Sequence, residues 1–209
     1  MLVRDIMRSP AVTIPPDTRL QDAYRILREK EIRHLPVLDG GRLVGVVTDR
    51  DLRLATSALA PSPFPPESVV SAVMSRNPLT ADPSDPVEDA ARAMRERKIG
   101  CLPVVEGGSV VGIVTGLDLL DALMRMTGID KPSGRVEVRL PDRPGELARL
   151  TGFLGQRGLN IHSILTTSDG PDSVRVVLRI GSIETRLLAE EMRRVDFDVV
   201  WPPEKPCPR

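Results

Sequence analysis

The sequence predicts an α+β (mixed α/β) protein: two repeats packed as a pseudo-twofold pair, then a smaller βαββαβ domain. Three observations carry this. Gly45-Val-Val-Thr-Asp-Arg-Asp-Leu52 returns as Gly112-Ile-Val-Thr-Gly-Leu-Asp-Leu119, a uniform 67 residues later. Sliding residues 7–52 by that interval gives 20 identities in 46 positions without a gap. Beyond residue 134 the pattern of strands and helices no longer matches the repeats. A solenoid needs at least about three units, so two copies are expected to bury a face against each other, with a cleft between them.

Each repeat opens on a short apolar segment, Ala11–Ile14 in the first, with Thr13 matched by Thr80. Thr18 followed by Gln21, and Asp85 followed by Glu88 with Pro86 between, predict capping boxes at two helix starts. Leu20, Ala23, Tyr24 and Leu27, like Val87, Ala90, Ala91 and Met94, fall at the spacing of one buried helix face. Ile32 or Ile99 follows, then Leu35-Pro-Val37 or Leu102-Pro-Val104, then an acidic residue with two glycines, which signals a hairpin. Pro36 and Pro103 within apolar runs predict edge strands with backbone groups open to a ligand. The returning strands, 42–48 and 109–115, run into the octets.

Thr48 with Asp51, and Thr115 with Asp118, therefore stand where strand gives way to helix. An acid there has two readings. It can cap the helix and favour the positive end of its dipole, or it can present two acceptor oxygens to a ligand. Its duplication in matching surroundings favours the ligand.

The proline-rich stretch Ala60–Pro66 predicts a stiff, extended connector, and Thr127–Gly134 marks a second boundary. Arg135–Leu140 alternates as a half-buried strand, and a turn at Pro141–Gly145 leads into a helix with Leu147, Leu150 and Leu154 on one side. Strands at 161, 173–180 and 196–201 and a helix at 185–194 complete βαββαβ, the ferredoxin-like plan. Residues 202–209 read as a loose tail.

Composition excludes several classes. The 209 residues carry 29 basic and 29 acidic side chains, net charge zero, without the basic excess of a nucleic-acid binder. No run of roughly 18 apolar residues or signal-peptide pattern occurs, so a cytoplasmic protein with no membrane partner is expected. Cys101 and Cys207 are too few and too separate for a disulfide framework or a metal site. Phosphate-loop, zinc-protease and nucleophile-elbow motifs are missing, so no catalytic residue is assigned and the chain reads as no enzyme.

The repeats resemble a tandem pair of cystathionine-beta-synthase (CBS) domains, on Thr13 and Thr80, the Leu-Pro-Val strands and the Gly-x-x-Thr-x-x-Asp motif in both copies. The last third resembles an ACT domain, on Asp142-Arg-Pro-Gly-Glu-Leu147 and Gly158-Leu-Asn-Ile161. The expected boundaries are 1–59 and 70–127 for the CBS domains around a 60–69 connector, then a 128–134 linker, 135–201 for the ACT domain and 202–209 for the tail. The whole arrangement is similar to the acetoin-utilisation protein B type.

The resemblance implies a regulatory sensor that binds AMP, ADP, ATP or S-adenosylmethionine as a regulatory ligand, with no required cofactor. Asp51 and Asp118 would each hold a ribose, and Thr48 and Thr115 would donate to ribose or phosphate. Ile32, Pro36, Ile99 and Pro103 would flank adenine, and Thr13 and Thr80 would complete the pockets. Arg33 and Arg50, replaced by Gly100 and Leu117 in the second copy, would make the first cleft the better phosphate site. The ACT resemblance implies amino-acid binding at a dimer interface, through Asp142, Gly145, Glu146, Leu147, Asn160 and Ile161; the rival reading makes Gly145 an ordinary loop glycine and the domain purely an assembly device. A homodimer and a regulated partner enzyme are expected. The alternatives are a ligand-independent scaffold, or an enzyme of acetoin metabolism. His34 and His162 read as structural, and Cys101 as a small buried hydrophobe.

Overall fold

The structure is a computed structural model of the chain and describes residues 1–204. Cys207 and most of the expected tail lie outside the described residues. Two compact units divide the chain, the first ending at Ala122.

In the first unit each repeat is built on a helix and a hairpin. Helix α1 (Leu20–Glu29) buries Leu20, Ala23 and Leu27, as the spacing predicts, while Tyr24 is turned outward at 39% exposure. Strands β1 (His34–Asp39) and β2 (Arg42–Thr48) pair antiparallel and lead into α2 (Asp49–Ala55). Their turn places Gly40 and Gly41 at φ +54° and +85°, the two left-handed residues that a two-residue hairpin requires. The second repeat returns the same plan with α3 (Val87–Arg97), β4 (Cys101–Glu106), β5 (Ser109–Thr115) and α4 (Gly116–Thr127), after the two-residue β3 (Ser75–Arg76).

The predicted short first strands shrink to single bridges, Ile14 beside Val37 and Ala81 beside Val104. These bridges correct the expectation of open strand edges. β1 and β4 do lie at sheet edges, but the Pro36 carbonyl accepts from Ile14 N at 3.1 Å and the Pro103 carbonyl from Ala81 N at 3.0 Å. Both prolines are buried.

The capping boxes predicted at Thr18 and Asp85 do not form. Thr18 Oγ1 donates to the Pro15 carbonyl, and the Asp85 carboxylate accepts from Asp82 N. Pro86 stands at the cap itself, not at the first helical position. The free N–H groups of both helices find carbonyls from a distant segment instead. Leu20 N and Gln21 N donate to Ser68 and Pro66, and Val87 N donates to Met1.

Those partners expose a crossing of the chain. The N-terminal segment completes the second repeat: Val3, fully buried, joins Ala90, Met94, Leu102 and Val114, with Ile6 and Met7 against them. Residues 70–74 complete the first repeat, where Val70 and Met74 join Leu20, Leu27, Leu35 and Val47. Val46, Cys101 and Ile113, with Ala11, form a small apolar seam between the repeats.

The second unit is a four-stranded antiparallel sheet of β6 (Gly134–Pro141), β7 (Ile161–Ser168), β8 (Ser173–Ile180) and β9 (Asp198–Trp201), in the order β7-β8-β6-β9. This is the ferredoxin-like order expected of βαββαβ. Helices α5 (Glu146–Gly155) and α6 (Thr185–Arg194) cover one face through Leu150, Leu154, Leu188 and Met192. Leu147, predicted on the buried side of α5, is 42% exposed. The other face carries Arg135, Glu137, Arg139 and Arg175, laced by ion pairs.

Candidate functional site

The two octets fold alike because each ends a buried strand at a threonine and turns at once into a helix. Thr48 N and Thr48 Oγ1 donate to Asp51 Oδ2 at 2.9 and 2.7 Å, and Asp51 N donates back to Thr48 Oγ1 at 3.1 Å. Thr115 N and Oγ1 donate to Asp118 Oδ2 at 2.7 and 2.6 Å. The capping reading of these acids is therefore realised in both repeats. Each cap commits only one carboxylate oxygen.

The fate of the second oxygen separates the copies. Asp118 Oδ1 accepts from Arg8 Nε at 3.1 Å, and Asp118 is buried at 5% exposure. Asp51 Oδ1 has no hydrogen-bond partner among the described residues, and Asp51 is half-buried. A ribose diol needs an acceptor with spare lone pairs. Asp51 presents one.

Both caps lie within electrostatic reach of one residue, His34. The charges of Asp51 and Asp118 reach His34, which packs so closely on Gly100 that a Cβ there would lie 2.6 Å from His34 Nε2. Burial, then Arg33, holds the His34 imidazolium below the ordinary histidine value of 6.5, against the opposing pull of the two aspartates. Burial, then Asp51, pushes the Cys101 thiol up to about 12, which keeps it protonated and inert as a core residue.

The lowered histidine carries a prediction. The unfolded chain binds the proton at a higher pH than the folded chain, so stability is expected to fall as pH drops through the histidine range. One proton sets a limit of about 1.4 kcal/mol per pH unit. Melting curves from about pH 8 to about pH 5 should show a shallower slope in His34→Gln; an identical slope would exclude His34 as the source.

The remaining candidates fall into groups. Thr13 and Thr80 directly precede the bridging residues Ile14 and Ala81, with Thr13 half-buried and Thr80 exposed. Ile32 and Ile99 pack on the cores of their own repeats. Arg33 and Arg50 are exposed near the start of β1 and of α2. Arg8 is the residue that sequence reasoning missed. Its signal was present as an inversion, since Arg8-Ser9 becomes Ser75-Arg76 in the second copy.

In the second unit Gly145, at φ +95°, precedes α5 with no atom near a would-be Cβ, so a backbone approach is open there. The start of α5 already holds an anion, however. Glu146 takes Arg143 Nη2 at 2.8 Å and Arg149 Nε at 3.1 Å, and these partners hold its carboxyl below the usual range. Asp142 and Leu147 are exposed beside it.

Asn160 and Ile161 lie elsewhere. Ile161 pairs with Ile180, which pairs with Gly134, whereas Asp142 follows Pro141, which pairs with Ser173. The two groups thus sit at opposite ends of the sheet, roughly 25 Å apart at about 3.3 Å per residue. One copy of the chain does not bring them together. His162, at a bulge in β7, has a buried Nδ1 without a hydrogen-bond partner among the described residues.

No group of three or more metal-binding side chains occurs among the described residues, and no helix there is long and apolar enough to cross a membrane.

Known proteins match this geometry. The CBS domain family matches residues 3–57 and 70–125, and the ACT domain family matches 134–197. The CBS domain pair of protein MJ0100, solved in complex with 5-methylthioadenosine and S-adenosyl-L-methionine, is 32% identical with a TM-score of 0.54. It covers 63% of this chain and 98% of its own. CBSX2 in complex with AMP is 31% identical with a TM-score of 0.55, over 60% of this chain and 97% of its own. A Vibrio cholerae chain assigned to acetoin utilization (AcuB) is 31% identical with a TM-score of 0.53, over 62% of this chain and 95% of its own. The chain belongs to the CBS-domain family, as a tandem pair of CBS domains followed by a C-terminal ACT domain.

Proposed function

We propose that this protein is a regulatory sensor whose CBS pair binds an adenosine-containing ligand, AMP, ADP, ATP or S-adenosylmethionine. The observation that carries this reading is the open Oδ1 of Asp51, held beside Thr48 at the end of β2. It suits the paired hydroxyls of a ribose. Arg33 and Arg50, both exposed near the ends of the elements that flank this cap, supply cations for a phosphate. The solved relatives that hold AMP or S-adenosylmethionine support the ligand class. The role is regulatory and not catalytic, in a cytoplasmic homodimer acting on a partner enzyme, and the AcuB relative supports a link to acetoin utilisation.

The ACT domain, within the boundaries expected from the sequence, takes an amino acid between two copies of the chain. The separation of Asp142–Leu147 from Asn160 and Ile161 supports a shared site, since the loop of one copy can meet the strand start of another. A second reading, assembly without a ligand, is favoured by Glu146, which already supplies the anion that a bound carboxylate would bring to α5.

Calorimetric titration of the ligand-stripped protein with the four ligands tests the sensor. Loss of a charge-assisted hydrogen bond predicts that Asp51→Ala weakens binding about ten- to a hundredfold. The cap contributes roughly 1 kcal/mol to the fold, so a melting curve must accompany the titration. Unchanged affinity in a folded Asp51→Ala protein would sink the ribose assignment.

A further inference from the structure

We propose that Arg8 is a gate on the second cleft, so that a nucleoside meets an open carboxylate at Asp51 and a closed one at Asp118. This inference rests on the adenosine reading above and assigns its regulation. The register carries it. Arg8 pairs with Ile113 as Ser75 pairs with Val46, and Ile113 and Val46 are themselves repeat mates. Arg8 and Ser75 therefore occupy equivalent positions beside the two caps. Strand side chains alternate between faces, so moving the arginine by one residue turns it away from the cap. Arg76 accordingly donates to the Ser71 carbonyl at 3.0 Å and leaves Asp51 alone.

At the second cap the Asp118 side chain is 6% exposed, whereas that of Arg8 is 62% exposed. The guanidinium covers the carboxylate from the solvent side. Ribose hydroxyls reach Asp118 only when Arg8 moves off, and its exposure leaves it room to do so. The two clefts then fill in order, with the first taking ligand at low concentration and the second only after the Arg8–Asp118 pair breaks. The exchange is inexpensive because a partly solvated pair is weak. An anionic ligand offers the displaced guanidinium a new partner; neutral adenosine does not.

Adenosine is therefore the probe, titrated calorimetrically into the full chain. In an Asp51→Ala background the second cleft is the tighter of the two, and adding Arg8→Ser, which places there the residue found at the equivalent register position of the first repeat, is expected to tighten its binding roughly fivefold. Arg8→Gln should do the same and guards against a folding defect in the serine variant. In the otherwise wild-type chain, Ser75→Arg should weaken the first cleft by a similar factor. Second-cleft affinity unchanged by both Arg8 variants, in folded protein, overturns the gate while leaving the sensor intact. No adenosine binding by any variant, wild type included, overturns the adenosine reading and the gate with it.

Discussion

Deletion of residues 1–7 is expected to unfold the second CBS repeat while the first keeps its core. The removed segment carries Val3, fully buried, and Ile6 and Met7 packed around it. It also supplies the Met1 carbonyl to Val87 N and the Val3 and Arg4 N–H groups to the carbonyls of Asp85 and Pro83. Apolar burial at about 2 kcal/mol per side chain puts the loss near 5 kcal/mol. That is comparable with the whole stability of a small domain. The first repeat is closed by Val70 and Met74, which the deletion leaves in place. Hydrogen exchange resolved along the chain checks this. Protection should be lost across α3, β4 and β5 and kept across α1, β1 and β2; equal loss in both repeats would mean that the first repeat depends on the second through the seam and does not stand on its own core.

The second large effect is expected at Gly134. It begins β6, is buried, and pairs with Ile180. A Cβ there would collide with Thr185 Cγ2 and the Ser182 carbonyl, at the start of α6. Neither neighbour is the free end of a long side chain, so α6 must shift as a body. Overpacking of this kind costs about 3 kcal/mol. Gly134→Ala should therefore lower the melting transition of the ACT domain, and Thr185→Ser added to it should recover little, since the Ser182 carbonyl remains. Full recovery by Thr185→Ser would show that the methyl alone made the clash.

The sequence made the architecture legible because its strongest signals are local or periodic. The 67-residue repeat, the Gly-Gly hairpins and the alternation of 135–140 each specify an element without reference to anything distant. The misread features all depend on a remote partner. Thr18 and Asp85 have the chemistry of caps, but carbonyls from Ser68 and Met1 reach the helix starts instead. Pro36 and Pro103 mark edge strands correctly, yet Ile14 and Ala81 use part of those edges. The chain crossing was illegible because Val3–Met7 and Val70–Met74 look like the beginnings of their own repeats.

The candidate site divides in the same way. Thr48 with Asp51 and Thr115 with Asp118 are legible from spacing alone, and in the structure each acid caps its own helix through the threonine. What spacing does not reveal is which oxygen each cap leaves over. That depends on Arg8, more than a hundred residues from Asp118 in sequence. The ACT candidates come from two motifs of one family pattern and not from one place, because β6 and β7 start at the same end of the sheet and Asp142 follows the far end of β6.

The crossing also bears on how the chain is made. Met1–Met7 leaves the ribosome long before residues 81–114 exist to receive it. The first acceptor to form is that of the other repeat, and it is shaped for a valine and a methionine four residues apart, Val70 and Met74. Val3 and Met7 have that spacing. The newborn segment therefore competes for a berth that belongs to its later copy, and synthesis must resolve an ambiguity that the finished fold no longer displays.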